Sequence, residues 1–534
     1  MSTDAANALP DESTLPDDPE TLKGMIRELL AMLTGTRQEL DGVRQRLDQL
    51  LRRLYGPKGE QFRPDQPSLF EGSAEPAPPS TPVPVEHEPV TSAKKKGHGR
   101  RRLPADLKRE RVVHDVPEAE KTCPCCHSSR VKIGEETSEQ LDYRPAKLFV
   151  WEHVRLKYAC PKCLKTSSEP PAASRDTPSS HIVVAAKPPQ PIDRGLPGPG
   201  LLAHVITSKY SDHLPLHRQE AMLARQGVEL SRSTLADWMA ASAELLKPLY
   251  KLMLAEVLRG RVVQTDETRV PVLQPGLKQT KPGRLWVFVG DRDHPHTVYD
   301  YTPTKARDGP AAILKDYRGF LQADSANVFD GIYRPGDIVE VACWAHARRY
   351  FHEARETDAV RSAEALTRIR DFYRVEDEAR DLITRQQLVG EADDAIRLQL
   401  RQERTRPKLA AFASWLEDQS PRVLPKSPIG QAIAYARRQW AALMRFTEHG
   451  FLNIDNNASE RALRAVAVGR KNWLFAGSDS GGRTAAVLYT ITQTCRRHGR
   501  DPFAYLQDVL ARLPLCTSDE LAPFLPHRWA APSR

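Results

Sequence analysis

The chain has 534 residues, 28% of them charged and 40% hydrophobic, with a formal net charge of +9. That length admits three or four domains with a sizeable core, and the charge admits a nucleic-acid partner without establishing one. No apolar run of about 18 residues occurs, which argues against a membrane-spanning helix. The acidic start argues against a secretory signal and for a cytoplasmic protein. Eight cysteines are too few for a disulfide scaffold.

The first element is a helix with an apolar seam. Ile26, Leu29, Leu33, Leu40, Val43, Leu47, Leu50 and Leu54, with Thr36 between Leu33 and Leu40, step alternately by three and four. This a/d pattern predicts a coiled-coil dimerisation helix over 20–55, with Thr36 weakening the pairing locally. An amphipathic helix docked on its own protein is the alternative, although its stripe would be broader. Residues 56–110 then read as a proline-rich linker and a basic arm. Nine Lys/Arg against two acids lie between Lys94 and Arg111, and Lys94, Lys95, Lys96, Arg100, Arg101 and Arg102 sit in a tract with no apolar residue. Such a tract cannot bury anything. It reads as a DNA phosphate or minor-groove arm, or as a solvated basic linker.

Residues 111–170 carry two knuckles, Cys123-Pro-Cys-Cys126 and Cys160-Pro-Lys-Cys163, separated by 33 residues. Each knuckle turns two thiolates toward one point, so Cys123, Cys126, Cys160 and Cys163 predict a closed structural Zn²⁺ site in a zinc ribbon-like module. Cys125 could compete with Cys126, and His127 is a weaker candidate. In 198–258, His217–Gln226 reads as a helix ended by Gly227. Ser231 or Ser233 then caps a second helix, Thr234–Met239. This is a helix-turn-helix-like pair within a DNA-binding region, or an ordinary helical hairpin.

From 259 the pattern becomes α/β. Strands are expected at Arg261–Asp266, ending at an acid, then at Leu285–Val289 and Thr297–Tyr301. A helix near Ala311 follows, then Gly319–Asp324, again ending at an acid, and Ile338–Cys343. The order suits a ribonuclease-H-like core, whose first and fourth strands lie side by side and would bring Asp266 and Asp324 together. Neighbouring carboxylates of this kind bind hard divalent ions. Glu460, in the first turns of a helix capped by Asn456 and Asn457, offers a third acid. The core would be split into 259–345 and 451–515 by a helical insertion over 346–450, since only Pro407 interrupts Ala345–Ser420.

At these residues the chain resembles the transposases of the insertion sequence 66 family. The likeness includes the leading zipper, the cysteine module, the acidic core, and the runs Ile454–Arg464 and Gly469–Gly477. It implies that Asp266, Asp324 and Glu460 are a DDE catalytic triad holding Mg²⁺ or Mn²⁺. Cys343-Trp-Ala-His346 resembles the C-x-x-H of related transposase groups, which makes Cys343 and His346 candidate active-site support, or a core pair. Arg461, Arg464, Arg470, Lys471 and Trp473 are candidate DNA contacts, with surface ion pairs and a core aromatic as the bland alternatives. The expected protein is a multidomain α/β, metal-dependent, nucleoid-associated bacterial transposase. It would act on double-stranded DNA at element ends and target, as a homodimer or higher oligomer, with small companion proteins of the same element. A non-catalytic DNA-binding regulator and a structure-specific nuclease are the rival readings.

Overall fold

A computed structural model describes residues 18–55, 103, 105, 107–144, 147–160, 182–274, 276, 279–324, 328–333 and 336–531. The basic tract Lys94–Arg102, Cys163 and the proline-rich linker lie outside the described residues. The described residues fall into two compact units, one within Met1–Arg102, Ala347–Phe372 and Pro407–Arg438, the other within Leu103–His346, Tyr373–Arg406 and Gln439–Arg534.

The first unit is helical. Its leading helix, Pro19–Tyr55, is one continuous element. Ile26, Leu29, Leu33, Leu40 and Val43 are each more than half exposed along it. The Thr36 hydroxyl is satisfied within the helix, donating to Met32 O at 2.9 Å. The rest of this unit packs on a buried aromatic group: Phe412 lies 6.0 Å from Phe351, 6.0 Å from Phe372 and 5.6 Å from Trp415, ring to ring.

The second unit holds two sheets. The smaller has the order β1 (Arg109–His114), β3 (Lys147–Ala159), β2 (Val131–Arg144), with β4 (Ile182–Val184) also on β3. Its long hairpin ends on the helix Pro199–Tyr210 through Asp142. The Asp142 carboxylate accepts from Leu201 N–H at 2.9 Å and from Trp151 Nε1–H at 2.9 Å, a charge placed at a helix N-terminus. Gly198 and Gly200 permit that approach, since a Cβ on either would come within 2.6 Å of Asp142.

The larger sheet has five strands in the order β7-β6-β5-β8-β9. They are β5 (Val262–Val272), β6 (Lys281–Gly290), β7 (Thr297–Thr302), β8 (Gly319–Gln322) and β9 (Ile338–Val341). β5, β6 and β7 are antiparallel, whereas β8 and β9 run parallel to β5. The first and fourth strands of this sheet are therefore neighbours. The helix Asp479–Arg497 closes the β7 edge. Thr490 and Thr494, four apart on one helix face, do so through their hydroxyls. Tyr299 N–H donates to Thr490 Oγ1 at 2.9 Å, and Thr494 Oγ1 both accepts from Thr297 N–H and donates to Thr297 O at 3.1 Å. This protects an edge strand from pairing with another chain.

Candidate active site

The acids are placed by register. β5 and β8 pair in parallel with Val262↔Phe320, Val263↔Leu321 and Gln264↔Gln322. Asp266 and Asp324 each follow two residues after the last pair, and Asp266, still within β5, continues the face of Gln264. Two expectations are corrected here. β5 does not end at Asp266 but continues to Val272, because its second half pairs with β6 from Glu267↔Trp286 to Val272↔Lys281. β8 stops at Gln322, leaving Asp324 just beyond the strand.

Glu460 stands in the first turn of the helix Asn457–Trp473. The asparagine side chains do not cap this helix as expected. Asn456 makes no side-chain cap bond, and its Nδ2 donates instead to Thr265 O at 3.4 Å. The Asp455 carboxylate takes the capping role, accepting from Asn457 N–H at 3.2 Å and from Asn457 Nδ2 at 2.8 Å. An ionised group at that position suits the helix dipole better than an amide.

Burial pushes the Asp266 carboxyl up to about 7, and the negative charges of Asp324 and Glu460 act in the same direction. Its neighbour Glu267 points to the other face of β5 and is neutralised there by Arg284 at 3.2 Å and Lys305 at 2.8 Å. Cys343, His346 and Glu460 form a second grouping, with donor atoms within 4.8 Å of one another. His346 Nε2 lies 3.6 Å from Glu460 Oε1. Cys343 is fully buried, its thiol pushed up to about 12 by burial, and its Sγ accepts from Asn456 N–H at 3.4 Å. The C-x-x-H pair thus has a third donor, Glu460, 113 or more residues away in sequence.

Behind the acids lies a layer that the sequence reading missed. Gln264 Nε2 donates to Gln322 Oε1 at 2.8 Å and to Asp455 O at 3.2 Å, and Gln322 Nε2 donates to Asn453 O at 2.7 Å. The signal was present as a repeated Gln-x-Asp, Gln264-Thr-Asp266 and Gln322-Ala-Asp324.

The expected DNA contacts separate. Arg461, Arg464 and Lys471 are exposed on the Glu460 helix. Arg470 is engaged within the protein, donating to Thr268 Oγ1 at 2.9 Å and to Arg269 O at 2.6 Å. Trp473 is half-buried and lines a cavity of about 320 Å³ with Lys209, Tyr210, Tyr301 and Tyr489. Lys209 Nζ lies 6.0 Å from the Trp473 ring centroid, and burial lowers its ammonium to about 8.

At the cysteine knuckle, Cys123, Cys126 and Cys160 bring their sulfurs within 4.8 Å of one another, with Cys126 Sγ and Cys160 Sγ 3.3 Å apart. Cys125 is exposed and outside this group. The knuckle turns through His127 at φ 50°. Hydrogen bonds from the Ser128 hydroxyl and amide, with that to Cys160, hold the Cys126 thiol down at about 6, toward the thiolate a metal needs.

The family model described as Transposase IS66 family matches residues 194–484, over half of the chain. The chain belongs to the IS66 transposase family. The model for the zinc-finger binding domain of transposase IS66 matches residues 120–163, and the IS66 C-terminal element matches 490–527. Residues 43–112 match a model described as Transposase C of IS166 homeodomain. Among similar proteins of Sinorhizobium fredii, y4hP is 33% identical over 464 residues, covering 82% of this chain and 78% of the relative. Another, y4jD, is 30% identical over 542 residues and covers 97% of both. Membership makes the chain a transposase with a zinc-binding and a DNA-binding part. Among the described residues no helix is long and apolar enough to cross a membrane.

Proposed function

We propose that the chain is a metal-dependent DDE transposase that binds the terminal inverted repeats of its own mobile element, cleaves at their ends and joins them to target DNA. The larger sheet, with its first and fourth strands adjacent, supports a ribonuclease-H-like core in which Asp266, Asp324 and Glu460 are the triad. The observation that carries this reading is the matched register of Gln264 and Gln322 on β5 and β8, each two residues before an aspartate, with the charges of both Asp324 and Glu460 acting on Asp266.

Hard divalent cations fit this donor set. The three oxygen donors come from β5, from the residues just after β8 and from a helix, and the charges of Asp324 and Glu460 both act on Asp266. Burial and mutual repulsion raise the cost of ionising Asp266, and the nearby Glu267 is already satisfied by cations of the protein. Asp266, Asp324 and Glu460 would hold Mg²⁺ or Mn²⁺, which supplies activation of the attacking oxygen and stabilisation of the leaving one in an in-line displacement at phosphorus. The protein's own residues orient the site. His346 steadies the Glu460 carboxylate from 3.6 Å, and Cys343 ties the C-x-x-H turn to the Asn456 amide. Arg461, Arg464 and Lys471 offer exposed cations on the same helix for DNA phosphates, whereas Arg470 braces that helix on β5. The Cys123/Cys126/Cys160 knuckle with Cys163 would hold a structural Zn²⁺. The exposed seam of Pro19–Tyr55 would pair two subunits, as synapsis of two DNA ends requires, in a cytoplasmic, nucleoid-associated protein.

The test is cleavage and joining on a DNA end taken from beside the gene, in Mg²⁺, with Asp266→Asn and Glu460→Gln alongside. Cutting and joining by the wild type, lost in both variants with DNA binding intact, supports the reading. Cutting without joining would make the chain a nuclease. Binding without cutting in Mg²⁺ or Mn²⁺, with both variants behaving as wild type, would make it a regulator.

A further inference from the structure

We propose that Gln264 and Gln322 are positioning residues: a buried amide rung that locks the Glu460 helix in place against the two aspartate strands. The inference rests on the proposed triad and says how its third member is held.

Glu460 belongs to a segment 135 residues distant from Asp324, so nothing in the local chain fixes their relative position. The rung supplies that link. Gln264 and Gln322 are register partners on β5 and β8, 5% and 0% exposed, each two residues before its aspartate. Strand side chains alternate, so Gln264 shares a face with Asp266 within β5, and Asp324 follows Gln322 by the same two residues just beyond β8. Both hydrogens of Gln264 Nε2 are used, on Gln322 Oε1 and on Asp455 O, while Gln322 Nε2 reaches Asn453 O. Asn453 and Asp455 belong to the stretch that enters the Glu460 helix, and the Asp455 carboxylate caps that helix while accepting from the Tyr373 hydroxyl at 3.0 Å. One unbroken path of hydrogen bonds therefore runs from each aspartate strand to the first turn of the helix.

The side-chain type matches the task. Leucine or methionine would fill the volume but leave the part-buried carbonyls of Asp455 and Asn453 without these donors. A carboxylate or an ammonium would place a full charge two residues from each aspartate and change the field at the acids. A neutral amide donates twice and adds no charge. Residues that orient metal-binding side chains act on metal affinity more than on substrate binding, with typical losses of about 10- to 100-fold.

The test uses the full-length protein with Gln264→Met and Gln322→Met, and Gln322→Leu as a second neutral variant should Met prevent folding. Leu506→Ala, a buried residue on Pro502–Arg512, serves as a control for lost stability alone. DNA-end binding, thermal midpoint, and cleavage as a function of Mg²⁺ and Mn²⁺ are measured on each. The positioning role predicts DNA binding as in the wild type and a half-maximal Mg²⁺ concentration raised about 10-fold or more, with partial recovery in Mn²⁺. A lowered midpoint with an unchanged metal requirement, as expected of Leu506→Ala, would overturn it and leave the rung as packing. Mn²⁺ binding followed by electron paramagnetic resonance decides the matter separately from turnover. If the wild type binds Mn²⁺ through Asp266 but does not cut, the cleavage reading fails, while weaker Mn²⁺ binding in the glutamine variants still supports positioning and equal binding refutes it.

Discussion

Replacing Asp266 by asparagine is expected to stabilise the metal-free protein while destroying its chemistry. An aspartate carboxyl that ionises at 3.8 in an unfolded chain and at about 7 in the native one makes ionised native protein less stable. At roughly 1.4 kcal/mol per pKa unit the cost is about 4 kcal/mol as an upper bound, with about 2 kcal/mol left after relaxation and water entry. The sign follows from proton counting. Below the unfolded value both states hold the proton. Between 3.8 and about 7 the native state keeps it and the unfolded state has lost it, so stability falls as pH rises through that window, then levels off. Asparagine has no proton to lose. In chelator, Asp266→Asn should therefore match the wild type near pH 4 and exceed it by several degrees in melting midpoint at pH 8, at about 2–4 °C per kcal/mol. Divalent metal should then reverse the order, because binding at a hundred times the dissociation constant adds about 2.7 kcal/mol to the wild type alone. Differential scanning fluorimetry over pH, with EDTA or with Mn²⁺, reads all of this. Equal midpoints at pH 8 in EDTA would show that burial does not hold the Asp266 proton, and an equal Mn²⁺ response in both proteins would show that Asp266 shares no metal site with Asp324 and Glu460.

Three further outcomes are expected. Cys126→Ser should release zinc to a chromogenic chelator far faster than the wild type, whereas Cys125→Ser should keep its zinc, since only Cys126 joins Cys123 and Cys160; metal analysis of both variants checks this. Leu33→Asp, in the exposed seam of Pro19–Tyr55, should reduce the mass seen by light scattering to that of a monomer, and an unchanged mass would remove the zipper from the assembly. Burial, with His527, His498 and Arg497 nearby, lowers the fully buried His296 imidazole to about 3. It stays neutral in the native state while the unfolded chain takes up a proton below about 6.5, so stability should drop by up to about 1.4 kcal/mol per unit as pH falls from 6.5 toward 3. His296→Phe should flatten that slope in acid-range denaturant titrations.

What could be read without coordinates, and what could not, divides along a physical line. Alternation and β-branching in Val262–Thr265 and Leu285–Val289 were enough to order the strands, because burial of one sheet face dictates that pattern locally. The stretch beyond Asp266 was cut short at the end of the β-branched run, yet pairing with β6 carries the strand on through Pro271, opposite Pro282. The capping error at Asn456 has a similar origin. Propensity ranks asparagine and aspartate together as caps, and only the tertiary bond from Asn456 Nδ2 to Thr265 O leaves the role to Asp455. Arg470 looked like a DNA ligand by charge alone, but a carbonyl and a hydroxyl of β5 claim it. The glutamines are the most instructive case. Periodicity treats a buried glutamine as noise in an apolar strand, and a repeated Gln-x-Asp acquires meaning only when two strands pair in matched register. Parallel pairing sets the two glutamines opposite each other, with an aspartate two residues beyond each. Their amides reach Asp455 O and Asn453 O, so the entry to the Glu460 helix is tied to β-sheet register as well as to its own cap.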